Sequence, residues 1–204
     1  MAERRSMTVA AVALLMALWL LMMLLGTNPL DLAVLNALYS ANRPLVRAAA
    51  STVTLLGQWQ VVILASVVAA ACLLYLRKVR SAVLLLAVTL TGRVLVELQK
   101  IGVHRQRPEL EHLVAVKSLS FPSAHSANSM ILLLSLALIA APERHRGWAV
   151  IAALTGTFLV GITRPILGVH WPSDVIGGWS FGAAWVLAML AIAERWPARD
   201  NPKR

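Results

Sequence analysis

"SLSFPSAHSANS", Ser118–Ser129, lies between two strongly apolar stretches of a 204-residue chain. It puts a proline, a histidine and several hydroxyls where a helix is about to start, and it carries no charge. It is therefore not a simple solvated linker. What it does depends on whether the apolar run that follows it sits in water or in lipid. Composition decides that question. The chain is 59% hydrophobic with a mean hydropathy of +0.73, whereas soluble domains run nearer to roughly 45–50% apolar.

Crossing a hydrocarbon layer of ~30 Å takes roughly 20 apolar residues. About six runs qualify, near 7–26, 59–76, 81–99, 125–142, 148–168 and 174–194. In lipid each span must satisfy its own backbone polar groups, so each is expected to be helical. The expected fold is all-α: an integral membrane bundle of about six transmembrane helices, one domain over 1–204, with no second domain. Ser118–Ser129 then leads into the fourth span.

The net charge of +10 suggests nucleic acid only until the charges are placed. Arg4 and Arg5, then Arg77, Lys78 and Arg80, then Arg144 and Arg146, then Arg195, Arg199, Lys203 and Arg204 fall at alternate span ends. That is the positive-inside pattern with both termini cytoplasmic, and it suits anionic lipid heads rather than a nucleic-acid stripe. Trp59 and Trp171 near the outer ends, with Trp148 and Trp196 near the inner ends, fit interfacial belts. The first apolar run is longer than a signal peptide's and no A-x-A-like site follows it, so it is expected to stay. Cys72 is the single cysteine, which leaves no intrachain disulfide.

Alternating the spans leaves three segments outside. In 27–58, Leu30, Val34, Leu35 and Leu38 have the spacing of an interfacial helix, with a loop packed on the bundle as the alternative. Segment 100–124 is the most polar, and "GVHWPSD", Gly168–Asp174, is a short turn. Gly178 and Gly182 form a small-xxx-small pair suited to close helix packing. Basic residues on the outer side oppose the topology rule, so Lys100, Arg107 and Arg164 need a local reason.

Three pieces converge on that side: "KIGVHRQRP" (Lys100–Pro108), "PSAH" (Pro122–His125) and "RPILGVHWPSD" (Arg164–Asp174). They supply three cations, a hydroxyl at a helix start, two histidines and a carboxylate. A tetrahedral oxyanion such as phosphate suits this set, because arginine forks pair its oxygens, lysine adds a point charge and free helix N–H groups add donors. Taken singly, His125 reads as an interfacial histidine and Asp174 as a first-turn acid. The two histidines lack an H-x3-H or cysteine partner for zinc. Jointly they point to a phosphate site.

The order K-x6-R-P, P-S-x-H, R-x5-H-x3-D resembles the type 2 phosphatidic acid phosphatase family, which shares its site with vanadium haloperoxidases. The resemblance covers mainly 93–180; the first 58 residues are similar only loosely. The family usually has Gly where Ala124 stands and Ser where Thr163 precedes Arg164. The resemblance implies that Lys100, Arg107 and Arg164 hold phosphoryl oxygens, with Ser123 and the Ala124 N–H. It makes His170 the nucleophile that forms a phosphohistidine, Asp174 its orienting partner, and His125 the group that protonates the leaving oxygen and then activates water. The chemistry agrees: a covalent step needs a neutral imidazole held through its other nitrogen, and a cationic cradle stabilises the transferring charge.

No metal or cofactor is expected, since the cations take that role, and the expected partners are a lipid phosphate substrate and membrane lipids, with no nucleic acid. The expected location is the inner (plasma) membrane with the site on the periplasmic or extracellular side. Undecaprenyl diphosphate, phosphatidate, phosphatidylglycerophosphate and lipid A phosphates are candidate substrates, and the sequence leaves the oligomeric state open. The rival class is a transporter or lipid-binding protein that holds an anionic head group without turnover. His104, Arg105, His112 and Lys117 match no motif position and are expected to face water or head groups. Arg93 and Glu97 lie four apart on one face of the third span and are expected to pair as structural support, with Glu97 also near Lys100.

Overall fold

The computed structural model describes residues 2–195, apart from the side chains of Ala2 and Arg4. Met1 and residues 196–204 lie outside the described residues, and with them Trp196, Arg199, Lys203 and Arg204 of the expected end groups. The described chain is all-α. Its helices are α1 (Ala2–Leu25), α2 (Pro29–Leu38), α3 (Pro44–Val53), α4 (Trp59–Tyr75), α5 (Val79–Val103), α6 (Ala124–Ser135), α7 (Arg146–Ile166) and α8 (Pro172–Ala193). A 3₁₀ turn, Thr54–Gly57, joins α3 to α4, and a π turn, Leu136–Ala140, prolongs α6.

Each of the six apolar runs carries a helix. Four segments are long and apolar enough to cross a membrane: Arg5–Leu25, Val79–Val103, Glu143–Ile166 and Pro172–Ala193. A fifth candidate is the pair Pro44–Gly57 and Trp59–Tyr75, bent by 48°. The chain is a multi-pass membrane protein. Ala124–Ala140 is shorter, and its position explains why it is also the least lipid-like. It lies among α4, α5, α7 and α8, so Ser126, Asn128, Ser129 and Ser135 are buried in protein rather than in lipid.

Close approach of α6 and α8 depends on the two glycines singled out above. A Cβ on Gly178 would stand 2.7 Å from the Ser123 carbonyl oxygen, and one on Gly182 would stand 2.9 Å from that of Ala127. Around this contact Val88, Val96, Ile131, Phe181 and Val186 form the main core. α1 packs on α8, and Trp19 meets Phe121 with ring centres 6.0 Å apart.

Segment 27–58 is helical but not only interfacial. Asn28 caps α2 by accepting from the Asp31 N–H at 3.0 Å, and Leu35 and Asp31 are buried against the bundle. The Ser40 backbone and hydroxyl both bond the Ile166 carbonyl. Gly168, at φ +71°, allows α7 to turn here: a Cβ would meet the Tyr39 ring at 2.7 Å, and the left-handed conformation favours glycine in any case. These contacts tie the two short helices to the α7–α8 turn that carries His170.

Candidate active site

Lys100 ends the buried stripe of α5. Leu85, Val88, Thr89, Gly92, Val96 and Lys100 recur at helical spacing, so the packing that hides the valines also buries the ammonium, which is 2% exposed. Its Nζ donates to the Leu119 carbonyl at 2.7 Å and reaches that of Ser120 at 3.5 Å. These acceptors belong to the loop before α6; Glu97 makes no hydrogen bond to it among the described residues. Arg107, on the same loop, donates to the Ser118 carbonyl at 2.7 Å and to the Val169 carbonyl. Arg164 projects from the last turn of α7, 3% exposed, with Nη1 on Thr54 Oγ1 and Nε without a partner.

The three cations, His125 and His170 line one cavity of about 510 Å³. His170 is buried between them. Its Nδ1 lies 3.3 Å from Asp174 Oδ2 and 3.3 Å from Ser120 Oγ, and its Nε2 is 3.1 Å from Arg107 Nη1. Guanidinium has no acceptor, so Nε2 accepts and the proton sits on Nδ1, an assignment made from the partners. Burial, then the charges of Arg107, Lys100 and Arg164, hold His170 well below the ordinary imidazole value. Arg107 is itself lowered by burial, against which the Asp174 charge acts. A neutral imidazole thus presents a lone pair to a cationic cavity.

Asp174 is fully buried and closely held. Oδ2 also accepts from Ser120 Oγ and, at 2.9 Å, from the Trp171 N–H, while Oδ1 accepts from Arg105 Nη1 at 2.9 Å. Arg105 corrects the expectation of a solvent-facing residue. Its side chain is 8% exposed, and its guanidinium sits 4.4 Å over the Phe121 ring. Its Nη2 donates to the Met22 and Met23 carbonyls at 2.9 and 2.7 Å. Those carbonyls lie in the last turn of α1, where carbonyls have no partner within the helix. Arg105 therefore joins α1 to the His170–Asp174 pair.

The other outer residues divide. His104 caps α5 in the left-handed region at φ 53°, and His112 Nε2 lies 3.1 Å from the Pro108 carbonyl. Lys117 is exposed as expected, but at the cavity mouth. Arg93 and Glu97 do pair, at a loose 3.9 Å, and both border the cavity.

Of the two expected substrate contacts at the start of α6, Ala124 lines the cavity and Ser123 does not. Ser123 is fully buried, its hydroxyl accepting from Ser126 Oγ at 3.0 Å. Its neighbours Ala124 and His125 line the cavity instead. Ala124 opens α6 and is not among the described residues of positive φ, so alanine is unstrained there.

Some partners carried no sequence signal. Asp31 accepts from the Ser173 N–H at 2.8 Å and from its hydroxyl, so α2 caps the helix that carries Asp174. Thr54 holds Arg164, and Gly57 leaves room for His125, whose Cδ2 is 2.9 Å from where a Cβ would be. The loosely resembling first 58 residues thus back the site.

The helical membrane bundle thus holds a cationic cavity over a buried His–Asp pair. Residues 80–197 match the model of the PAP2 superfamily, and the chain belongs to that family. It is 32% identical to phosphatidylglycerophosphatase B of Bacillus subtilis over 157 residues, 74% of this chain and 77% of that protein. Over 73 residues it is 38% identical to lipid A 1-phosphatase of Rhizobium johnstonii, 36% of this chain and 27% of that protein. The crystal structure of a transmembrane PAP2-type phosphatidylglycerolphosphate phosphatase from Bacillus subtilis superposes with a TM-score of 0.84 at 28% identity, covering 92% of this chain and 98% of that one. Aquifex aeolicus LpxE, at 21% identity and a TM-score of 0.63, shares the fold over 80% of this chain and 96% of its own.

Proposed function

We propose that this chain is a metal-independent lipid phosphatase of the plasma membrane that removes a terminal phosphate from a glycerophospholipid through a phosphohistidine. One observation carries the assignment. His170 is held through Nδ1 by Asp174 and Ser120, which leaves Nε2 on Arg107 at the cavity wall. The name of the relative that aligns over most of its length favours a glycerophospholipid over undecaprenyl diphosphate or lipid A.

In this mechanism the phosphoryl oxygens take the N–H groups of Arg107, Arg164 and Lys100, releasing His170 Nε2 from Arg107. The Nε2 lone pair attacks phosphorus, and the bond to the lipid oxygen breaks as His125 gives that oxygen a proton. Neutral His125 then takes a proton from water, whose oxygen displaces Nε2 and frees inorganic phosphate. Asp174 stabilises the charge that develops on the imidazole, and the cradle stabilises that on the transferring group. Metal independence belongs to this reading because Lys100, Arg107 and Arg164 would supply the positive charge that an ion would otherwise bring to the transferring group. We place six crossings in the membrane, both termini in the cytoplasm and the site outside, as one domain.

Purified protein in detergent should release phosphate from lipid phosphates in EDTA and be inhibited by vanadate, which mimics five-coordinate phosphorus. Enzyme quenched in alkaline detergent should carry acid-labile, base-stable label, and His170→Ala should abolish both label and turnover. Near-native phosphate release by His170→Ala would sink the mechanism. Head-group binding with no phosphate released would favour the transporter or lipid-binding alternative.

A further inference from the structure

The proposed phosphate cradle, Lys100, Arg107 and Arg164, makes up only part of the cavity lining. Along its α5 wall the cavity continues past Lys100 to Glu97 and Arg93. These residues stand at i, i+4 and i+7 counted from Arg93, which places all three on one helix face. Arg93 is ten residues before Val103, the site end of α5, so it lies about 15 Å from that end toward the bilayer middle. A charge at such depth is costly and calls for a partner.

The partner present is incomplete. Arg93 Nη2 is 3.9 Å from Glu97 Oε1, whereas a charge-assisted hydrogen bond closes to about 2.7–2.9 Å. No hydrogen bond to protein holds the guanidinium among the described residues. It is fixed instead by the Trp59 ring, 4.9 Å from its centre. The side chains of Arg93 and Glu97 keep 24% and 44% of their surface exposed. The wall therefore reads cation, acceptor, cation over a Cα span of about 10 Å.

Resting on the lipid phosphatase assignment, we propose that Arg93, Glu97 and Lys100 form a row that selects lipids carrying two phosphates joined by a hydroxylated spacer. Lys100 and the cradle take the terminal phosphomonoester. Glu97 accepts a hydrogen bond from the spacer hydroxyl, and Arg93 binds the phosphodiester beyond it. The order suits a membrane lipid, because the phosphodiester is the group nearer the acyl chains and Arg93 is the residue nearer the bilayer middle. A diphosphate fits poorly. Its two phosphorus atoms share one bridging oxygen, a span shorter than one helical turn of about 5.4 Å, and no hydroxyl falls opposite Glu97. Phosphatidate lacks the second anion altogether.

The test compares kcat/KM for three lipids with matched acyl chains: phosphatidate, phosphatidylglycerophosphate, and the latter with its spacer hydroxyl removed. Each variant is its own control for folding, because only the ratio between substrates is read. Arg93→Gln should lower the preference for phosphatidylglycerophosphate over phosphatidate roughly ten- to a hundredfold, the worth of a hydrogen bond to a charged group. Glu97→Ala should abolish discrimination between the hydroxylated and deoxy lipids. Ratios that stay at the wild-type value in both variants overturn the row and leave the phosphatase assignment intact. Absence of phosphate release from all three lipids by the wild-type protein overturns that assignment instead.

Discussion

In the proposed mechanism His170 sets the acid side of the reaction. Because burial and then three cations depress its pKa well below 6.5, it stays unprotonated at neutral pH, as the proposed nucleophile must, and the acid limb of kcat/KM should lie below the ordinary histidine range. The sign of each contribution follows from the charge. A neighbouring cation disfavours imidazolium, so removing one raises the His170 pKa. Arg107→Gln should therefore shift the acid limb to higher pH, besides raising KM, in a profile measured with a soluble phosphate ester. An unmoved or downward-shifted limb would mean that His170 is not the group observed. Arg105 makes a second prediction. Arg105→Gln leaves Asp174, which is fully buried, without its charged partner. The expected loss of thermal stability in detergent corresponds to about 3 kcal/mol, the lower part of the range for a broken buried pair, because Ser120 and Trp171 still donate to Asp174. Arg105→Lys should recover part of it. A wild-type melting temperature for Arg105→Gln would show that the pair is not structural. The motif residues were legible because cations and histidines are rare in apolar surroundings and stood at recognisable intervals. Arg105, Ser120, Asp31 and Thr54 were not, because their roles come from partners 50 to 142 positions away and nothing local marks them.

At the scale of elements, helix order and approximate ends followed from apolar runs, since a lipid-facing helix must be apolar over most of its surface. The central α6 followed less easily. Shielded by protein, it carries serines and an asparagine that lower its apolar signal, and it ends in a π turn no periodicity announced. The segment before α4 left a choice between helix and loop because its stabilising contacts, Asp31 on Ser173 and Ser40 on Ile166, belong to other helices. One of its glycines lies against His125, the proposed proton donor. A Cβ on Gly57 would stand 2.6 Å from Val160 Cγ1 and 2.9 Å from His125 Cδ2. Gly57→Ala should therefore displace His125 and lower kcat, with a stability cost of roughly 1–3 kcal/mol, typical of overpacking. The kcat loss should be larger for a lipid alkoxide leaving group than for p-nitrophenolate, which needs no proton. Equal losses on the two substrates would place the damage elsewhere than at His125. Gly147→Ala is the control, since a Cβ there meets nothing within 4 Å.

Across the whole molecule, charge is separated by end. Thr8, Arg80, Arg146, Ala193 and Glu194 surround one cavity, so α1, α5, α7 and α8 bring their basic termini to the same end of the bundle. Lys100, Arg107 and Arg164 gather at the other around His170. The proposed orientation rests on the positive-inside rule, by which clustered Lys and Arg in short loops stay on the cytoplasmic side. In that orientation the cations of the site would lie outside, and each is committed to protein, Lys100 to loop carbonyls, Arg107 to Val169 and Ser118, and Arg164 to Thr54. The sequence carried this much only as a pattern of alternation, since which helices share an end depends on how they pack. Thiol labelling tests the orientation. Cys72, exposed on α4, is first replaced by alanine so that no native thiol responds. Gln106 is exposed in the loop beside Arg107, and Gly147 is exposed at the start of α7, at the opposite end. Gln106→Cys should react with a membrane-impermeant maleimide in intact cells, while Gly147→Cys should react only after permeabilisation. Both variants should keep lipid phosphatase activity before labelling, which shows that the labelled molecules are folded. The reverse pattern would put the cavity, and the hydrolysis proposed for it, on the cytoplasmic face, where the lipid phosphates available to it are those of the inner leaflet.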